Sequence, residues 1–397
     1  MEQSGDGLRL WPEGETAAQS EDRLARAGSL KWAQYQGEIG AWVAEMDFEL
    51  AQPIRSALDE ALARGLTGYI PGWLRRQVQA ACAGWSARRH DWAVDPEDVV
   101  VIPNVLHGLT TMMERFVPPG PVIVPVPAYM PFLTMPGESG REVIRLPMTQ
   151  DAAGRPTMDL EGLDRAFAAG GTMLVLCNPH NPRGVALTEA EAVAIGQVVE
   201  SHAGRVFADE IHGPLVLPGC RHRPYAQASP VNAGHTLTAT AATKGWNFAG
   251  LPNAQLILSN DRDRALVAEH RHRVTEGAST LGLVATVAAY ERGEAWLDAA
   301  VGQIADNLAL LEGLVAEHLP GVRFRHGQEA TFLAWLDFRN VDLAGEAPSV
   351  FLHREAQVAT NDGATLGVPG CVRLNVALPP ALLVEAVERM GRALARR

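Results

Sequence analysis

Short apolar runs recur through the middle of the chain, and most of them are continuously apolar rather than alternating with polar residues. They predict β-strands at Val99–Ile102, Val122–Val124, Val143–Ile144, Met173–Leu176, Val206–Ala208 and Leu256–Leu258. Continuous apolar runs of this length are typical of strands that are buried on both faces of a sheet. Helical patterns at Leu160–Ala169 and Thr188–Ser201 separate some of these runs. The pattern therefore predicts an α/β fold with crossover helices.

The two ends of the chain carry other patterns. Residues 1–45 predict an irregular arm and a docking segment, and Pro53–Arg64 predicts a helix. The C-terminal part predicts a helical tract broken near Gly293, two alternating strands and a final helix, at Val284–His318, Thr331–Phe338, Cys371–Ala377 and Ala381–Leu394. We therefore expect a large domain over residues 46–285 and a small α+β domain over residues 286–397, to which the arm contributes.

Composition narrows the classes of function. Hydrophobic residues make up 47% of the 397 residues, which is enough for a folded core. The formal net charge of -12 argues against nucleic acid or an anionic membrane as the main partner. The four cysteines form neither a zinc motif nor a disulfide framework, which favours a reduced cytoplasm. The N-terminus lacks a signal peptide's apolar core, and the longest mostly apolar stretch, Leu281–Tyr290, is shorter than the roughly 18 residues of a membrane helix.

Amine chemistry has few candidates, because Lys31 and Lys244 are the only lysines in the sequence. Lys244 lies among small residues, next to the hydroxyls of Thr240 and Thr243 and shortly before an apolar strand. A partly buried lysine has a lowered pKa and can form a Schiff base, and small hydroxyl residues can bind a phosphate. A surface lysine in a loop is the alternative explanation.

Polar side chains follow several predicted strands, at the position where α/β sheets bind ligands. Asp209 could pair with a protonated heterocycle nitrogen, Asn181 could donate to a phenolate-like oxygen, and Tyr129 could stack on an aromatic ring. Arg373 interrupts an apolar strand and could bind a substrate carboxylate. The alternatives are a helix cap or a loop salt bridge for Asp209, a tight loop for Asn181, a core tyrosine for Tyr129 and an internal ion pair for Arg373. The turn at Asn104–Gly108 offers backbone N–H groups to a phosphate.

Together and in this order, these motifs resemble the fold-type I pyridoxal-phosphate enzymes. Within them the chain is similar to the cystathionine β-lyases of the MalY/PatB type, a branch of the class I/II aminotransferase family. The resemblance extends over nearly the whole chain and is carried by Gly28–Trp32, Trp42–Phe48, Gly68–Tyr69, Asp209–His212, Ala289–Leu297, Phe332–Phe338 and the strand with Arg373. It implies a large cofactor-binding domain with a mostly parallel seven-stranded sheet, a smaller α+β domain, and a homodimer.

The resemblance also implies roles around the cofactor ring. Lys244 would hold pyridoxal 5'-phosphate as a Schiff base and would be the catalytic base. Asp209 would pair with the pyridine nitrogen, and Asn181 would bond the ring oxygen. His212 would lie near that oxygen, and Tyr129 would stack on the ring.

The same resemblance implies that further residues hold the cofactor phosphate. Backbone groups of Val105 and Leu106 would contact it, together with the hydroxyl of Thr240 or Thr243. Tyr69 would reach the phosphate in the neighbouring subunit.

The substrate side departs from the family pattern. Arg373 would hold the substrate α-carboxylate, and Glu45, which replaces the aspartate of the family segment, would lie at the substrate. The serine three residues before the lysine is Ala241, and the threonine of the Asn-Pro-Thr-Gly turn is Arg183. Arg183 or His107 could recognise an additional anionic group or could simply be solvated.

The resemblance implies β-elimination of a cysteine S-conjugate, a cystathionine-like thioether, to a thiol, pyruvate and ammonia. Transamination, or decarboxylation or oxidative deamination of an S-conjugate in a specialised biosynthetic pathway, shares the first steps and stays open. A non-catalytic protein on the same fold is a further alternative, because fold alone does not decide function.

Overall fold

The computed structural model describes residue 8 and residues 10–397, and it contains one large mixed sheet. Its seven strands are β1 Val99–Ile102, β2 Val122–Val126, β3 Val143–Pro147, β4 Met173–Cys177, β5 Arg205–Asp209, β6 Thr236–Thr240 and β7 Ala254–Leu258. They lie side by side in the order β1-β7-β6-β5-β4-β2-β3. Strand β7 is antiparallel to both neighbours, and all other pairs are parallel. The predicted α/β class with a mostly parallel seven-stranded sheet is confirmed.

Sixteen α-helices lie among the described residues, and they cover both faces of this sheet. They are α1 Ala17–Ala27, α2 Leu30–Ala33, α3 Gln52–Ala63, α4 Gly72–His90, α5 Val105–Thr111, α6 Met130–Glu138, α7 Leu160–Ala168, α8 Glu189–Ser201, α9 Pro230–His235, α10 Ala242–Gly245, α11 Asp261–Glu269, α12 Arg271–Thr275, α13 Thr280–Arg292, α14 Glu294–His318, α15 Pro348–Phe351 and α16 Pro380–Ala395. Short 3₁₀ or π turns lie at Pro96–Asp98, Met112–Phe116, Gly213–Leu215, Tyr225–Ala228, Leu352–Ala356 and Gly363–Leu366.

A second, four-stranded sheet lies near the C-terminus. Its strands are β8 Arg323–Phe324, β9 Leu333–Asp337, β10 Asn361–Asp362 and β11 Cys371–Asn375, in the order β8-β9-β11-β10. All three pairs are antiparallel. Two-residue pairings also join Ile39–Gly40 to Val358–Ala359, and Thr149–Gln150 to Pro156–Thr157. The first of these pairings connects the N-terminal segment to the C-terminal part of the chain.

Local sequence explains several of the element boundaries. Helix α8 begins after Thr188, whose side chain accepts a hydrogen bond from the Glu191 N–H, while the Glu191 carboxylate accepts from the Thr188 N–H. This reciprocal capping box satisfies two N–H groups that have no partner within the helix. The long C-terminal helical tract breaks at Gly293, as predicted. A Cβ at this position would lie 2.5 Å from the Trp246 ring nitrogen, so the close packing requires glycine.

Two parts of the prediction from sequence differ from the structure. The N-terminal arm is not wholly irregular, because α1 and α2 lie within it; residues 1–7 and 9 fall outside the described residues. Helix α1 packs against α16 and buries Leu24. Strand β6 had no counterpart among the predicted strands, although it lies at the centre of the sheet between β5 and β7.

Helix α14 is the one helix of the described residues that is long and apolar enough to cross a membrane by length and composition. The sequence alone instead indicates Leu281–Tyr290 as the longest mostly apolar stretch. The buried side chains of α14, which include Trp296, Ile304 and Leu311, belong to the largest hydrophobic core, and the helix packs against α16. The apolar character of α14 is therefore explained by its place in the protein core.

Candidate active site

The carboxyl ends of the parallel strands place most of the predicted site residues at one edge of the large sheet. Asp209 is the last residue of β5, and Tyr129 follows β2 at the start of α6. Asn181 lies in the turn after β4, and Lys244 lies in α10, which follows β6 directly. Arg373 reaches the same place from the small sheet, where it lies in β11. The site is therefore built between the two sheets.

Lys244 is half-buried, and its Nζ donates a hydrogen bond to the Ala44 carbonyl at 2.7 Å. Burial lowers the pKa of Lys244 to about 8. The nearby charge of Arg373 also lowers this pKa, whereas the carboxylates of Glu45 and Asp209 raise it. A lowered pKa leaves more of the amine neutral near pH 7, and the neutral amine is the nucleophile in Schiff-base chemistry. Lys244 is therefore not an exposed lysine in a surface loop, which was the alternative explanation.

Asp209 is buried, and its Oδ1 accepts a hydrogen bond from the Ile211 N–H at 3.0 Å. Burial raises the pKa of Asp209 to about 7, and the positive charge of Lys244 counteracts part of that rise. No cationic side chain of the described residues forms an ion pair with this carboxylate. A buried carboxylate without such a partner suits a protonated ring nitrogen, whose charge would favour the ionised acid.

Arg373 is buried and has only neutral hydrogen-bond partners among the described residues. It donates to Asn181 Oδ1 at 3.1 Å, to Asn361 Oδ1 at 2.6 Å and to the Trp42 carbonyl at 3.2 Å. Its Nε is buried and has no partner. Burial lowers the pKa of Arg373 to about 10. The internal ion pair considered as the alternative is absent from this part of the chain, and a carboxylate ligand would fit the guanidinium.

Tyr129 and His212 flank these groups. The Tyr129 ring meets Phe132 edge-on, with 5.5 Å between ring centroids, and burial raises the pKa of its phenol. His212 is buried, its Nδ1 has no hydrogen-bond partner, and its ring is 6.4 Å from that of Phe332. Burial lowers the pKa of His212 to about 3, and nearby Lys244 lowers it further, so the imidazole is neutral.

The predicted phosphate contacts lie at the start of α5 and around Lys244. Val105 is buried and Leu106 half-buried in the first turn of α5, which Asn104 caps by accepting from the His107 N–H at 2.8 Å. A Cβ on Gly108 would lie 3.0 Å from Leu256, so the helix approaches the sheet closely. The first N–H groups of a helix have no partner within it and can bind a phosphate.

The hydroxyl residues near Lys244 differ in their surroundings. Thr243 is buried in α10, whereas Thr240 is half-buried and donates to the Glu210 carbonyl at 3.4 Å. His107 Nε2 lies 2.9 Å from the Arg273 carbonyl, to which it must donate because a carbonyl only accepts. The His107 ring is thereby held to the backbone of α12.

The two remaining predicted residues differ in how they relate to this group. Tyr69 is fully exposed, with 102% relative accessibility, and lies between α3 and α4. Within one chain it therefore does not join the site, and its predicted contact across a dimer stays a prediction. Glu45 is half-buried and approaches Lys244 closely enough to raise its pKa, while its carbonyl accepts from Asn375 at 2.6 Å.

Sequence reasoning missed the residues that fix the segment carrying Ala44 and Glu45. Lys31 Nζ lies 2.9 Å from Asp47 Oδ2, and both side chains are buried. The Trp32 indole also donates to Asp47, at 2.9 Å. The scarcity of lysine was the available signal, since one of only two lysines is fully buried.

Asn247 holds the same segment from the opposite side. It accepts from the Met46 N–H and donates to the Met46 carbonyl, both at 2.8 Å. Its φ of 57° is in the left-handed region, which asparagine tolerates better than most residues. The backbone that receives the Lys244 amine is thus fixed by side chains from several elements.

These features fit pyridoxal phosphate. The site offers an amine with a lowered pKa, a buried carboxylate without a cationic partner, an aromatic side chain and a buried His212 Nδ1 without a partner. Buried polar groups are normally hydrogen-bonded, so the His212 nitrogen and the Arg373 Nε indicate that ligand atoms belong between the two sheets.

Comparison with known proteins points the same way. A family model described as aminotransferase class I and II matches residues 43–390. The cystathionine beta-lyase of Corynebacterium glutamicum is 35% identical over 380 residues, which cover 94% of this chain and 98% of the relative. The cystathionine beta-lyase PatB of Bacillus subtilis is 31% identical over 385 residues, which cover 94% and 98%. A crystal structure of a candidate PLP-dependent beta-cystathionase from Corynebacterium diphtheriae superimposes with a TM-score of 0.88 at 34% identity, and the match covers 98% of this chain and 99% of that one.

Proposed function

The chain belongs to the class I and II aminotransferase family, and we propose that within it the protein is a pyridoxal-phosphate-dependent carbon–sulfur β-lyase. It converts a cysteine S-conjugate and water to a thiol, pyruvate and ammonia. The similarity to cystathionine β-lyases over almost the full length of both chains supports the reaction type. The structural observation that supports an amino-acid substrate is Arg373, a buried guanidinium near Lys244 that has only neutral hydrogen-bond partners among the described residues.

The cofactor residues are proposed as follows. Lys244 would hold the cofactor through its aldehyde, and Asp209 would pair with the pyridine nitrogen. Asn181 and the neutral His212 would lie at the ring oxygen, and Tyr129 would stack on the ring. When bound, pyridoxal phosphate supplies the electron sink, while the protein supplies binding, orientation and charge.

The phosphate is held by a second set of residues. Backbone N–H groups of Val105 and Leu106 at the start of α5 donate to it, together with Thr243 or Thr240. Tyr69 completes this set from the partner subunit of a homodimer. Tyr69 is fully exposed in the single chain, so its side chain is accessible for a contact with a partner subunit.

The reaction uses the same side chains in sequence. Arg373 binds the substrate α-carboxylate with two parallel hydrogen bonds and orients Cα toward Lys244. The free Lys244 amine removes the Cα proton as general base. The Cβ–S bond then breaks, the sulfur leaves with the bonding electron pair as a thiolate, and it becomes a thiol by taking up a proton. Water supplies the oxygen of pyruvate, and the substrate nitrogen leaves as ammonia.

A cytoplasmic location is part of the proposal. All four cysteines are free, and Cys82, Cys177 and Cys371 are buried. Free thiols without disulfides fit a reducing compartment.

Pyruvate release from L-cystathionine without any added keto acid tests the proposal. We expect continuous release by the wild-type enzyme and none by Lys244→Ala or Lys244→Arg, the second of which keeps the positive charge. The cofactor absorption spectrum is recorded in the same cuvette. A spectrum that converts once to the pyridoxamine form, with at most one equivalent of keto acid, would instead identify a transaminase.

A further inference from the structure

A cavity of about 340 Å³ lies at strands β8 and β9 of the small sheet and is lined by an excess of arginines. Arg183, Arg323, Arg325 and Arg339 line it, and Asp337 is the one carboxylate among its lining residues. These residues therefore bear a formal charge of about +3 in a chain whose net charge is -12. A concave surface with one sign of charge attracts ligands of the opposite sign.

Two of the four arginines are not neutralised within the described part of the chain. Arg339 and Arg323 share Asp337, at 2.6 Å and 3.5 Å. Arg183 and Arg325, both half-buried, form no ion pair there, and the buried Arg325 Nη2 has no hydrogen-bond partner. Burial and the mutual repulsion of the two guanidinium groups lower the pKa of Arg183. Several partly buried positive charges close together destabilise the folded protein unless a bound anion compensates them.

The walls of this cavity are fixed by backbone contacts. Gly184 follows Arg183 with φ of 61°, and a Cβ there would lie 2.3 Å from Gln328 Cγ. The Gly184 carbonyl accepts from the Glu329 N–H at 2.8 Å, and Gln328 Nε2 donates to the Ala330 carbonyl at 2.8 Å. The turn that bears Arg183 and the segment that bears Arg325 are thus joined directly.

The cavity and the proposed carboxylate site share two structural elements. Trp335 lines the cavity and lies directly opposite Arg373 in the β9–β11 pair, so the two side chains project from the same face of the small sheet. Asn181 accepts from Arg373, and Arg183 is two residues further along the same turn. A substrate held by Arg373 therefore lies next to this basic cavity.

We infer that this arginine-lined cavity binds a carboxylate on the thiol half of the substrate, with Arg183 and Arg325 as its specificity-determining residues. The inference rests on the proposed function and defines its substrate class: thioethers with an acidic group on the leaving thiol. Arginine suits this role because its planar guanidinium binds a carboxylate through two parallel hydrogen bonds.

Matched pairs of substrates test the inference. S-carboxymethyl-, S-(2-carboxyethyl)- and S-(3-carboxypropyl)-L-cysteine are each compared with the carbamoyl analogue, which is nearly isosteric but neutral. For at least one chain length, we expect kcat/KM of the wild-type enzyme to favour the carboxylate by about tenfold or more, the effect of one hydrogen bond to a charged group. In Arg183→Gln/Arg325→Gln that ratio should fall to about one. Arg145→Gln, at an exposed arginine in β3, is the control for the loss of an arginine outside the cavity and should keep the wild-type ratio.

Other outcomes would overturn the inference. A wild-type ratio near one at every chain length would show that the cavity does not select for the acid. A high ratio that survives the double variant would place recognition elsewhere. Arg183→Lys, which keeps the charge and loses the bidentate geometry, should give an intermediate ratio and guards against a misfolded glutamine variant.

Binding separates this inference from the proposed reaction. Calorimetric titration of Lys244→Ala, with pyridoxal phosphate present, measures the preference for carboxylate over carbamoyl conjugate without turnover. If no conjugate yields pyruvate, the proposed lyase function fails, whereas a calorimetric preference that depends on Arg183 and Arg325 would still support the anion-binding role of the arginine-lined cavity. Equal binding of both conjugates would overturn the cavity's role whether or not pyruvate forms.

Discussion

The buried pair of Lys31 and Asp47 offers a sharp test of how the site is held in place. The Lys31 side chain has no exposed area, that of Asp47 is 4% exposed, and their atoms are 2.9 Å apart. Lys31 also donates to the Glu45 carbonyl at 3.2 Å. The pair therefore fixes the segment whose Ala44 carbonyl accepts from the Lys244 amine at 2.7 Å.

Lys31→Met keeps most of the length of the side chain and removes its charge. Asp47 then retains the Trp32 indole as a donor but loses the only cation paired with it among the described residues. Removing one partner of a buried ion pair costs about 3–5 kcal/mol. Burial raises the pKa of Asp47, so the folded variant favours the protonated acid and loses stability as the pH rises. We therefore expect the variant to be closest to wild type in acid.

Urea denaturation of the cofactor-saturated enzyme at several pH values measures this effect as a change in the free energy of unfolding. Arg64→Met is the control, because the Arg64–Glu60 pair is exposed and such pairs contribute about 0.5 kcal/mol or less. Lys31→Met/Asp47→Asn removes both charges and keeps an acceptor for Trp32, so it should recover about 1–3 kcal/mol relative to Lys31→Met. A loss below about 1 kcal/mol in Lys31→Met, or a double variant less stable than it, would refute the reasoning.

Three further predictions concern the site itself. Asp209→Asn should lower kcat by roughly 10- to 150-fold and shift the cofactor absorption, because the pyridine nitrogen loses its charged partner; an unchanged kcat would contradict the assignment. Arg373→Gln should raise KM for a cysteine S-conjugate by roughly 10- to 150-fold, and steady-state kinetics with an equal KM would exclude it as the carboxylate site. Since the pKa of Lys244 is lowered to about 8, the rate of cofactor uptake by the apoenzyme should rise with pH and level off above about 8, whereas a plateau only near pH 10 would show an exposed amine.

Much of this site could be predicted because its residues are local neighbours of buried strands. Continuous apolar runs located β4 and β5, so the sequence alone placed Asp209 and Asn181 at strand ends. Lys244 was the most distinctive candidate, because the chain has only one other lysine. The family motifs then supplied roles that spacing alone leaves open.

The rest depended on contacts between distant parts of the chain. Strand β6 alternates threonine with leucine and alanine, so it lacks the apolar run of its neighbours, yet Thr236 and Thr238 are completely buried. Most residues of helix α1 are polar, so the sequence shows little apolar pattern there. The helix is stabilised by packing against α16, which is distant in sequence. Arg183 and Arg325 meet across one cavity only because Gly184 allows their two segments to touch.

The stoichiometry of products from one cysteine S-conjugate tests the central claim most directly. The wild-type enzyme is incubated with substrate in large excess and without keto acid, and thiol, pyruvate and ammonia are quantified over time. The account predicts equal amounts of all three through many turnovers, and none with Lys244→Arg. A keto acid that retains the intact thioether, formed at no more than one equivalent per site and without free thiol, would contradict it.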